Sequence, residues 1–279
     1  MSDFYVNNTE YCLADEYFCS LTEKTANFKN DDIEFNQCFL DDEVKSIEIA
    51  KALNQVELGK QFAFYNLGFS EKELELLSNV GIEELNDITI NTSINKLKEL
   101  KHEVSLALTK MQGVDVLRLD GLSNLITRLV SVVIGELEAE EFELKIRSIE
   151  SYQSKENCMY WHLDKSKAEK LGNTDITKEK RFIIVLKGEG TLYKKISDEQ
   201  REDFIKLAEE APSFYGHGIK ACKVDDGINQ LFNQQETFIT KSQYGSVHIA
   251  GYNGTIHAEP KESESRLILL LTPKINSIK

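Results

Sequence analysis

Residues 142–147 read Phe-Glu-Leu-Lys-Ile-Arg, and residues 181–187 read Arg-Phe-Ile-Ile-Val-Leu-Lys. The first stretch alternates apolar and charged side chains, which is typical of a β-strand with one buried face. The second is apolar on both faces of the pleat, which predicts a central strand of a sheet. Two further strands are predicted at 245–250 and 266–272, the second ended by Pro273. The C-terminal half is therefore predicted to be rich in strands.

The N-terminal half has helical periodicity instead. Between residues 41 and 54, apolar side chains recur at every third position, which predicts a helix that buries them. This predicted stripe consists of Val44, Ile47, Ala50 and Leu53. Ser70 and Glu73 form a capping box that opens a further helix. Two longer amphipathic stretches, 94–111 and 122–134, predict two more helices.

Composition excludes several classes of protein. The chain has 279 residues, of which 41% are hydrophobic, so it is long and apolar enough to bury a core. Its net charge of −14 disfavours nucleic acids and anionic membranes as partners. Five cysteines without a Cys-x-x-Cys motif favour reduced thiols in a cytoplasm. No long apolar run or signal peptide is visible, so we predict a cytoplasmic protein and leave export by a non-classical route open.

A His-x-Asp motif, His162-Leu163-Asp164, lies between the predicted strands. In an extended chain, the side chains of residues i and i+2 point to the same face. An imidazole and a carboxylate on one face are two of the three ligands of the facial triad that holds non-haem Fe(II). The alternative is an ordinary pair of strand residues, with Asp164 beginning a loop.

His257 and Arg266 follow in the order that such a site requires. His257 offers the third ligand, and Arg266 opens the last predicted strand. An arginine that points into a barrel is costly unless it pairs with an anion. A bound dicarboxylate would be such a partner, with a contact worth about 1.5–3 kcal/mol. A surface arginine paired with Glu262 or Glu264 is the alternative.

This order of residues resembles the Fe(II)/2-oxoglutarate-dependent oxygenase superfamily, whose core is a double-stranded β-helix. Residues 181–186 followed by 188–193 are similar to a strand and a Gly-Gly-Glu-Thr-x-Phe turn of its prolyl-hydroxylase branch. Residues 245–247 together with 255–258 are similar to the last metal-ligand strand of that branch.

The sequence also resembles, over roughly residues 117–273, a bacterial family known as domain of unknown function 1826. The family ends on a His-Arg-Ser-Pro motif, where this chain has Ala258-Glu259 between the histidine and the proline. The similar motifs are Cys158, Trp161–Asp164, Arg181-Phe182, Gly188–Thr191, His257–Pro260 and Arg266–Leu270.

The resemblance implies an α+β fold. Residues 114–279 would form a jelly-roll metal-binding domain, a double-stranded β-helix of the cupin-like kind. Residues 1–113 would form a helical N-terminal region packed against it as one unit. Neither the substrate nor the oligomeric state follows from the resemblance.

The resemblance also implies a function, an Fe(II)- and 2-oxoglutarate-dependent dioxygenase that acts as a hydroxylase. His162, Asp164 and His257 would hold Fe(II). Arg266 would pair with the distal carboxylate of 2-oxoglutarate, the cosubstrate. The cosubstrate would also receive a hydrogen bond from Tyr193 or Thr191. The substrate would be a small molecule or a protein.

Two rival functions stay open. One is a cupin-like metal-binding sensor or interaction module without oxygenase turnover. The other is an interaction protein that uses the jelly roll as a scaffold and binds no metal. Metal content after purification separates the interaction protein, which would contain no metal, from the oxygenase and the metal-binding module, which would both contain it.

Four other residues allow two interpretations each, and His102 allows one. His248 either lines the barrel or is a hydrogen-bonded core histidine, and Cys158 is either a soft ligand or a buried thiol. Arg181 either pairs with a surface carboxylate or binds a ligand. His217 lies either at a substrate entrance or in an exposed loop, whereas His102 is predicted on a helix surface.

Overall fold

The computed structural model describes the chain in fourteen segments. These are residues 33–57, 61–80, 88–109, 116–137, 139–149, 152–153, 160–164, 179–210, 220–223, 226–232, 235–251, 253–260, 262–263 and 265–274. The helices are α1 (Ile33–Glu57), α2 (Glu71–Ser78), α3 (Leu97–Leu108), α4 (Val116–Gly135), α5 (Asp198–Glu210) and α6 (Asp226–Phe232). The strands are β1 (Phe62–Asn66), β2 (Ile88–Ser93), β3 (Glu141–Ile149), β4 (Tyr152–Gln153), β5 (Tyr160–Leu163), β6 (Lys180–Lys187), β7 (Glu189–Lys194), β8 (Lys220–Lys223), β9 (Thr237–Lys241), β10 (Tyr244–Ile249), β11 (His257–Ala258), β12 (Glu262–Ser263) and β13 (Arg266–Lys274).

Two antiparallel sheets form the core. The larger has the strand order β1-β10-β6-β13-β3-β2, and the smaller has the order β8-β5-β11-β7-β9. Eight of these strands form the barrel, namely β3, β5, β6, β7, β9, β10, β11 and β13. Taken in chain order, they alternate between the larger and the smaller sheet. The one exception is the pair β7 and β9, which lie side by side in the smaller sheet. This is the strand order of a jelly roll, so the predicted double-stranded β-helix is confirmed.

The last strand shows how the two faces of the larger sheet differ. Leu267, Leu269 and Leu271 are buried in one apolar core together with residues of α1 to α4. Ile268 points the other way, into a second cluster between the sheets that includes Phe238 of β9. Helices α1 to α4 therefore cover the outer face of the larger sheet, and the inner face of that sheet lines the barrel interior.

The structure confirms the predicted strands and most of the predicted helices. Ser70 and Glu73 form the capping box at the start of α2. A 3₁₀ turn at Ile94–Lys96 precedes α3, so this helix begins later than the sequence predicts. The last strand passes through Pro273, which lies opposite Phe142 of β3, and the prediction that this proline ends the strand was wrong.

The N-terminal half, predicted to be mainly helical, also contributes two strands that the sequence analysis did not predict. β1 pairs with β10, and β2 pairs with β3, so two N-terminal segments extend the larger sheet at both of its edges. These segments are only five and six residues long. Both segments are rich in aromatic or β-branched residues, which favour strands, and each forms backbone hydrogen bonds to a neighbouring strand of the larger sheet.

The predicted buried stripe of α1 was wrong in three of its four positions. Val44 and Ile47 are 57% and 53% exposed, and Ala50 is exposed as well. The buried side consists of Lys45, Ile49, Ala52, Leu53 and Val56. A strict spacing of three drifts around a helix of 3.6 residues per turn. Steps of four, three and four keep the buried residues on one side.

Within the described segments, no helix has both the length and the apolar character needed to cross a bilayer.

Candidate metal centre

The two histidines of the predicted triad come from neighbouring strands of the smaller sheet. His162 on β5 and His257 on β11 are direct partners in the antiparallel pairing, so their side chains lie on the same face. Trp161 and Leu163 point to the other face, where they are buried in an apolar cluster. Asp164 follows immediately after β5. The alternation of β5 therefore turns His162 towards the barrel interior.

His162, Asp164 and His257 converge. One possible ligand atom from each of them lies within 4.8 Å of the other two. The His162 and His257 ring centroids are 4.2 Å apart, and Nε2 of His257 lies 3.5 Å from Oδ2 of Asp164. Such a set of two imidazoles and one carboxylate is the ligand combination of the facial triad. The structure thus brings together the three residues that the sequence singles out.

The hydrogen bonding of His257 suits a metal ligand. Its Nδ1 lies 2.9 Å from the backbone oxygen of Thr255 and donates to it. A ring with a proton on Nδ1 presents the lone pair of Nε2, the atom that faces Asp164. Burial, followed by the neighbouring His162, holds the pKa of His257 well below its usual value. The ring is therefore neutral, as a metal ligand must be.

The Asp164 carboxylate is buried but remains ionised. Burial by itself raises its pKa. The hydrogen bond from His248 and the Arg181 guanidinium favour the ionised form, and the pKa of the carboxyl lies well below its usual range. A negative carboxylate beside neutral imidazoles is the charge state that a divalent cation requires.

Arg181 contacts the same carboxylate. Its Nη1 lies 3.0 Å from Oδ1 of Asp164, and its Nη2 lies 3.7 Å from Glu179. Of the two interpretations that the sequence left open, pairing with a carboxylate is the one observed. That carboxylate is not on the surface, however, but belongs to the candidate metal site.

His248 was the residue whose place in the site the sequence left undecided. It is 1% exposed, and its Nε2 lies 3.0 Å from Oδ2 of Asp164. Burial lowers its pKa. The alternation of β10 predicts that His248 points away from Val247 and Ile249, but which strand it faces depends on how the two sheets pack. Both interpretations, a residue lining the barrel and a hydrogen-bonded histidine, therefore hold at once.

Arg266 is buried at the start of β13, with 1% of its surface exposed. Its Nη2 lies 3.5 Å from the backbone oxygen of Gly190. A Cβ at Gly188 would lie 3.2 Å from Cγ of Arg266 and 2.6 Å from the oxygen of Ser265. The Gly188-Glu189-Gly190 turn therefore leaves room for this arginine. A surface position for Arg266 is excluded.

Tyr193 and Thr191 lie on β7, beside the histidine strand. Tyr193 is the partner of His257 across the sheet, and their ring centroids are 6.1 Å apart. The Tyr193 hydroxyl lies 2.8 Å from Oγ of Ser246 and 3.3 Å from Nδ1 of His248. The Thr191 amide donates to the Thr240 hydroxyl at 2.8 Å. Contact of either residue with a cosubstrate stays a prediction.

Glu259 is engaged in an ion pair beside the site. Its carboxylate pairs with Arg147 of β3 at 2.5 Å. Burial raises its pKa, but Arg147 and then Arg266 outweigh this effect and lower it. Ala258 is fully buried in the apolar cluster behind the smaller sheet. Both residues are thus engaged within the fold next to the site.

Of His102, His217 and Cys158, the structure describes only His102. His102 is exposed on α3, as predicted. Cys158 and His217 lie outside the described residues, so their interpretations stay predictions.

Comparisons with known proteins give distant matches. No protein-family profile matches the sequence, and no curated protein matches it. Among solved structures, the Kdo hydroxylase KdoO is similar with a TM-score of 0.42 and 13% identity over 82% of this chain and 84% of that one. It is described as a non-haem Fe(II) α-ketoglutarate-dependent dioxygenase.

Prolyl 4-hydroxylases are similar as well. The enzyme from Phytophthora capsici gives a TM-score of 0.39 at 12% identity, over 92% of this chain and 70% of that one. The enzyme from Pseudomonas putida gives 0.37 at 11% identity, over 82% of this chain and all of that one. These likenesses are distant, and the assignment of a double-stranded β-helix to this chain rests on the strand order described above.

Proposed function

We propose that the protein is an Fe(II)- and 2-oxoglutarate-dependent oxygenase that hydroxylates a small-molecule or protein substrate. The observation that carries the proposal is the convergence of His162, Asp164 and His257 on the inner face of the smaller sheet. A facial triad of this composition holds one side of an octahedral ion and leaves the other positions open.

The ligand set fits Fe(II). Two neutral imidazoles and one carboxylate carry a single negative charge, which partly neutralises a divalent cation. The Thr255 carbonyl fixes the tautomer of His257, and Arg181 fixes the orientation of Asp164. When bound, the iron and its cosubstrate would supply the oxidising chemistry: dioxygen and 2-oxoglutarate give succinate and carbon dioxide, and one oxygen atom goes to the substrate.

Arg266 supports 2-oxoglutarate as the cosubstrate. A buried guanidinium is stable where an anion accepts its hydrogen bonds, and a dicarboxylate offers one carboxylate for this purpose while its other end remains available. Arg266 lies on the inner face of the larger sheet, at the first position of β13. Its role in this proposal is to bind and orient the cosubstrate.

The barrel also supplies an environment that excludes water. His257 and Asp164 are buried, and Tyr193 is fully buried beside them. A dry site protects reactive species from solvent and strengthens the contacts that orient the bound groups. The chain's own contribution is therefore to bind, to orient and to shield.

The test is an anaerobic titration of the metal-free protein with Fe(II) followed by 2-oxoglutarate. The readout is the weak visible charge-transfer band of the chelated complex. We expect a band in the wild type, its loss in His257→Ala, and a much higher 2-oxoglutarate requirement in Arg266→Ala. His102→Ala, which removes an exposed histidine on α3, is the matched control and should behave as the wild type does.

The other outcomes point to the rival functions. Iron binding without any band would contradict the oxygenase and favour the cupin-like metal-binding module. No iron binding at all would favour the interaction protein whose jelly roll is only a scaffold. Arg266→Ala with an unchanged 2-oxoglutarate requirement would remove the cosubstrate role of this arginine alone.

A further inference from the structure

We infer that His248 is a positioning residue for the metal centre, which holds the Asp164 carboxylate through Nε2 and is itself held by the Tyr193 hydroxyl. This inference rests on the metal site of the proposed function. The resemblance of the sequence to oxygenases assigns no role to His248.

The contacts form an uninterrupted chain. Ser246 Oγ lies 2.8 Å from the Tyr193 hydroxyl, which lies 3.3 Å from Nδ1 of His248. Nε2 of His248 then lies 3.0 Å from Oδ2 of Asp164. Each member is buried. This series of hydrogen bonds therefore runs through the barrel interior and ends on a candidate metal ligand.

The direction of these hydrogen bonds follows from the chemistry of the ends. An ionised carboxylate only accepts, so Nε2 of His248 must carry the proton that points to Asp164. A neutral imidazole has one donor and one acceptor, so Nδ1 accepts from the Tyr193 hydroxyl. The oxygen of Tyr193 in turn accepts from Ser246. Every donor in this arrangement has an acceptor, and the arrangement specifies one tautomer of His248.

The same series of hydrogen bonds connects the two sheets. Ser246 and His248 are two residues apart on β10 and point to the same inner face of the larger sheet. Tyr193 belongs to β7, and Asp164 follows β5, both in the smaller sheet. His248 thus fixes the position of Asp164 relative to the opposite sheet. A histidine with only a packing role in the core would not need to form a hydrogen bond with this carboxylate.

The alternative role is that of a fourth ligand. The possible ligand atoms that lie within 4.8 Å of one another belong to His162, Asp164 and His257. His248 instead faces the Asp164 oxygen from the side of the larger sheet. If it were a ligand, its Nε2 would have to be unprotonated, and Nδ1 would carry the proton. The two roles therefore require opposite tautomers.

The first experiment compares His248→Gln with His248→Asn. A glutamine amide reaches about as far as Nε2 of histidine and keeps a donor for Asp164, whereas an asparagine amide reaches only as far as Nδ1. The probe is Co(II), whose visible spectrum reports ligand geometry, added to the metal-free protein. We expect His248→Asn to bind Co(II) about 10- to 100-fold more weakly, with an altered spectrum, and His248→Gln to stay close to the wild type.

His257→Ala distinguishes a failure of the proposed metal site from a failure of the positioning role of His248. If it binds Co(II) as tightly as the wild type does, the metal site of the proposed function is wrong. If it loses Co(II) while His248→Asn binds normally, the proposed function stands and the positioning role of His248 is wrong. Thermal unfolding of the metal-free variants is the control. Equal melting temperatures would show that the weaker Co(II) binding of His248→Asn does not come from a disturbed fold, whereas a lower melting temperature for His248→Asn alone would indicate a merely structural role.

A second measurement needs no variant and applies even if both substitutions prevent folding. Two-bond ¹H–¹⁵N spectra of the Zn(II)-loaded wild type distinguish metal-bound, Nδ1-protonated and Nε2-protonated histidine rings. We expect two metal-bound rings and, in addition, a buried ring with its proton on Nε2. Three metal-bound rings would make His248 a ligand and overturn the inference.

Discussion

Arg181 and His248 lie directly opposite one another on β6 and β10, and each contacts a different oxygen of Asp164. Cross-strand partners share a face of the sheet, so both side chains cross the barrel interior to the same carboxylate. Asp164 is thereby held from the larger sheet, although it follows a strand of the smaller one.

Replacing Arg181 should weaken metal binding. In Arg181→Gln the charge-assisted contact to Oδ1 of Asp164 is lost, and we expect a metal affinity lower by about 10- to 100-fold. The matched control is Arg128→Gln, because Arg128 pairs with Glu73 within the helical part of the fold. Both affinities are measured by isothermal titration with Co(II). Equal affinities in the two variants would show that Arg181 does not support the ligand.

The close approach of Gly245 and Tyr65 predicts a loss of stability on substitution. The two residues are partners between β10 and β1, and a Cβ at Gly245 would lie 2.2 Å from the Tyr65 ring. Because Tyr65 is fully buried, its ring has no room to move away. We expect Gly245→Ala to lower the free energy of unfolding by about 1–3 kcal/mol, measured in urea.

Gly135→Ala is the control for that measurement. Gly135 ends α4, and nothing lies within 4 Å of where its Cβ would be. An alanine there removes flexibility from the unfolded chain and should be neutral or stabilise the protein by about 0.4–1 kcal/mol. A similar loss in both variants would contradict the steric explanation for Gly245.

Gly188→Ala should affect both stability and cosubstrate binding. Gly188 has φ +77°, and Gly68, with φ +52°, has a similar backbone but nothing near its Cβ position. Alanine at either position pays a backbone cost of about 1–2 kcal/mol. Only alanine at Gly188 also presses on Arg266 and Ser265.

We therefore expect urea unfolding to show a larger loss for Gly188→Ala than for Gly68→Ala. We also expect only Gly188→Ala to need more 2-oxoglutarate in the anaerobic titration. If the two variants bind the cosubstrate equally well, the turn is not needed to place Arg266.

The burial of Lys194 predicts that its contribution to the free energy of unfolding increases at alkaline pH. It is buried on β7, with its Nζ over the rings of Trp161 and Phe232 and 2.8 Å from the carbonyl oxygen of Gln235. Burial lowers its pKa to about 8, whereas the unfolded chain keeps the ordinary value of 10.5. Between these values the unfolded state binds more protons, so raising the pH favours the folded state.

The measurement is the free energy of unfolding of the wild type minus that of Lys194→Met, from pH 7 to 9.5. The difference cancels the other groups that titrate, including the buried tyrosines. It should shift in favour of the wild type as the pH rises above about 8. A difference that does not change with pH would mean that the ring contacts and Gln235 compensate fully for burial.

Local patterns predicted β3, β6, β10 and β13 because each of these strands carries its own signal. The alternation from Phe142 to Arg147 marks a half-buried strand, and the apolar run of β6 marks a central one. His162 and Asp164 were recognisable from their spacing, because a separation of two residues places both on one face of a strand. Arg266 was recognisable from its position at the start of an apolar strand.

Contacts between distant segments were not predictable from local pattern. Phe62 and Phe64 of β1 pack against Tyr193, which lies 129 or more positions away along the chain. The sequence of β1 alone does not predict this partner. The role of His248 has the same origin. Its face of the strand follows from alternation, but the approach to Asp164 depends on the distance and angle between the two sheets.

The pairing of His162 with His257 has a consequence for the order of events in folding. β11 is only two residues long and is held on one side by β5 and on the other by β7. A slip of one residue would turn His257 to the opposite face and put an alanine or an isoleucine in its place. The triad therefore exists only in chains whose smaller sheet has the correct register. Uptake of the metal ion would then be a late step, and a reporter of correctly assembled molecules in any preparation of this protein.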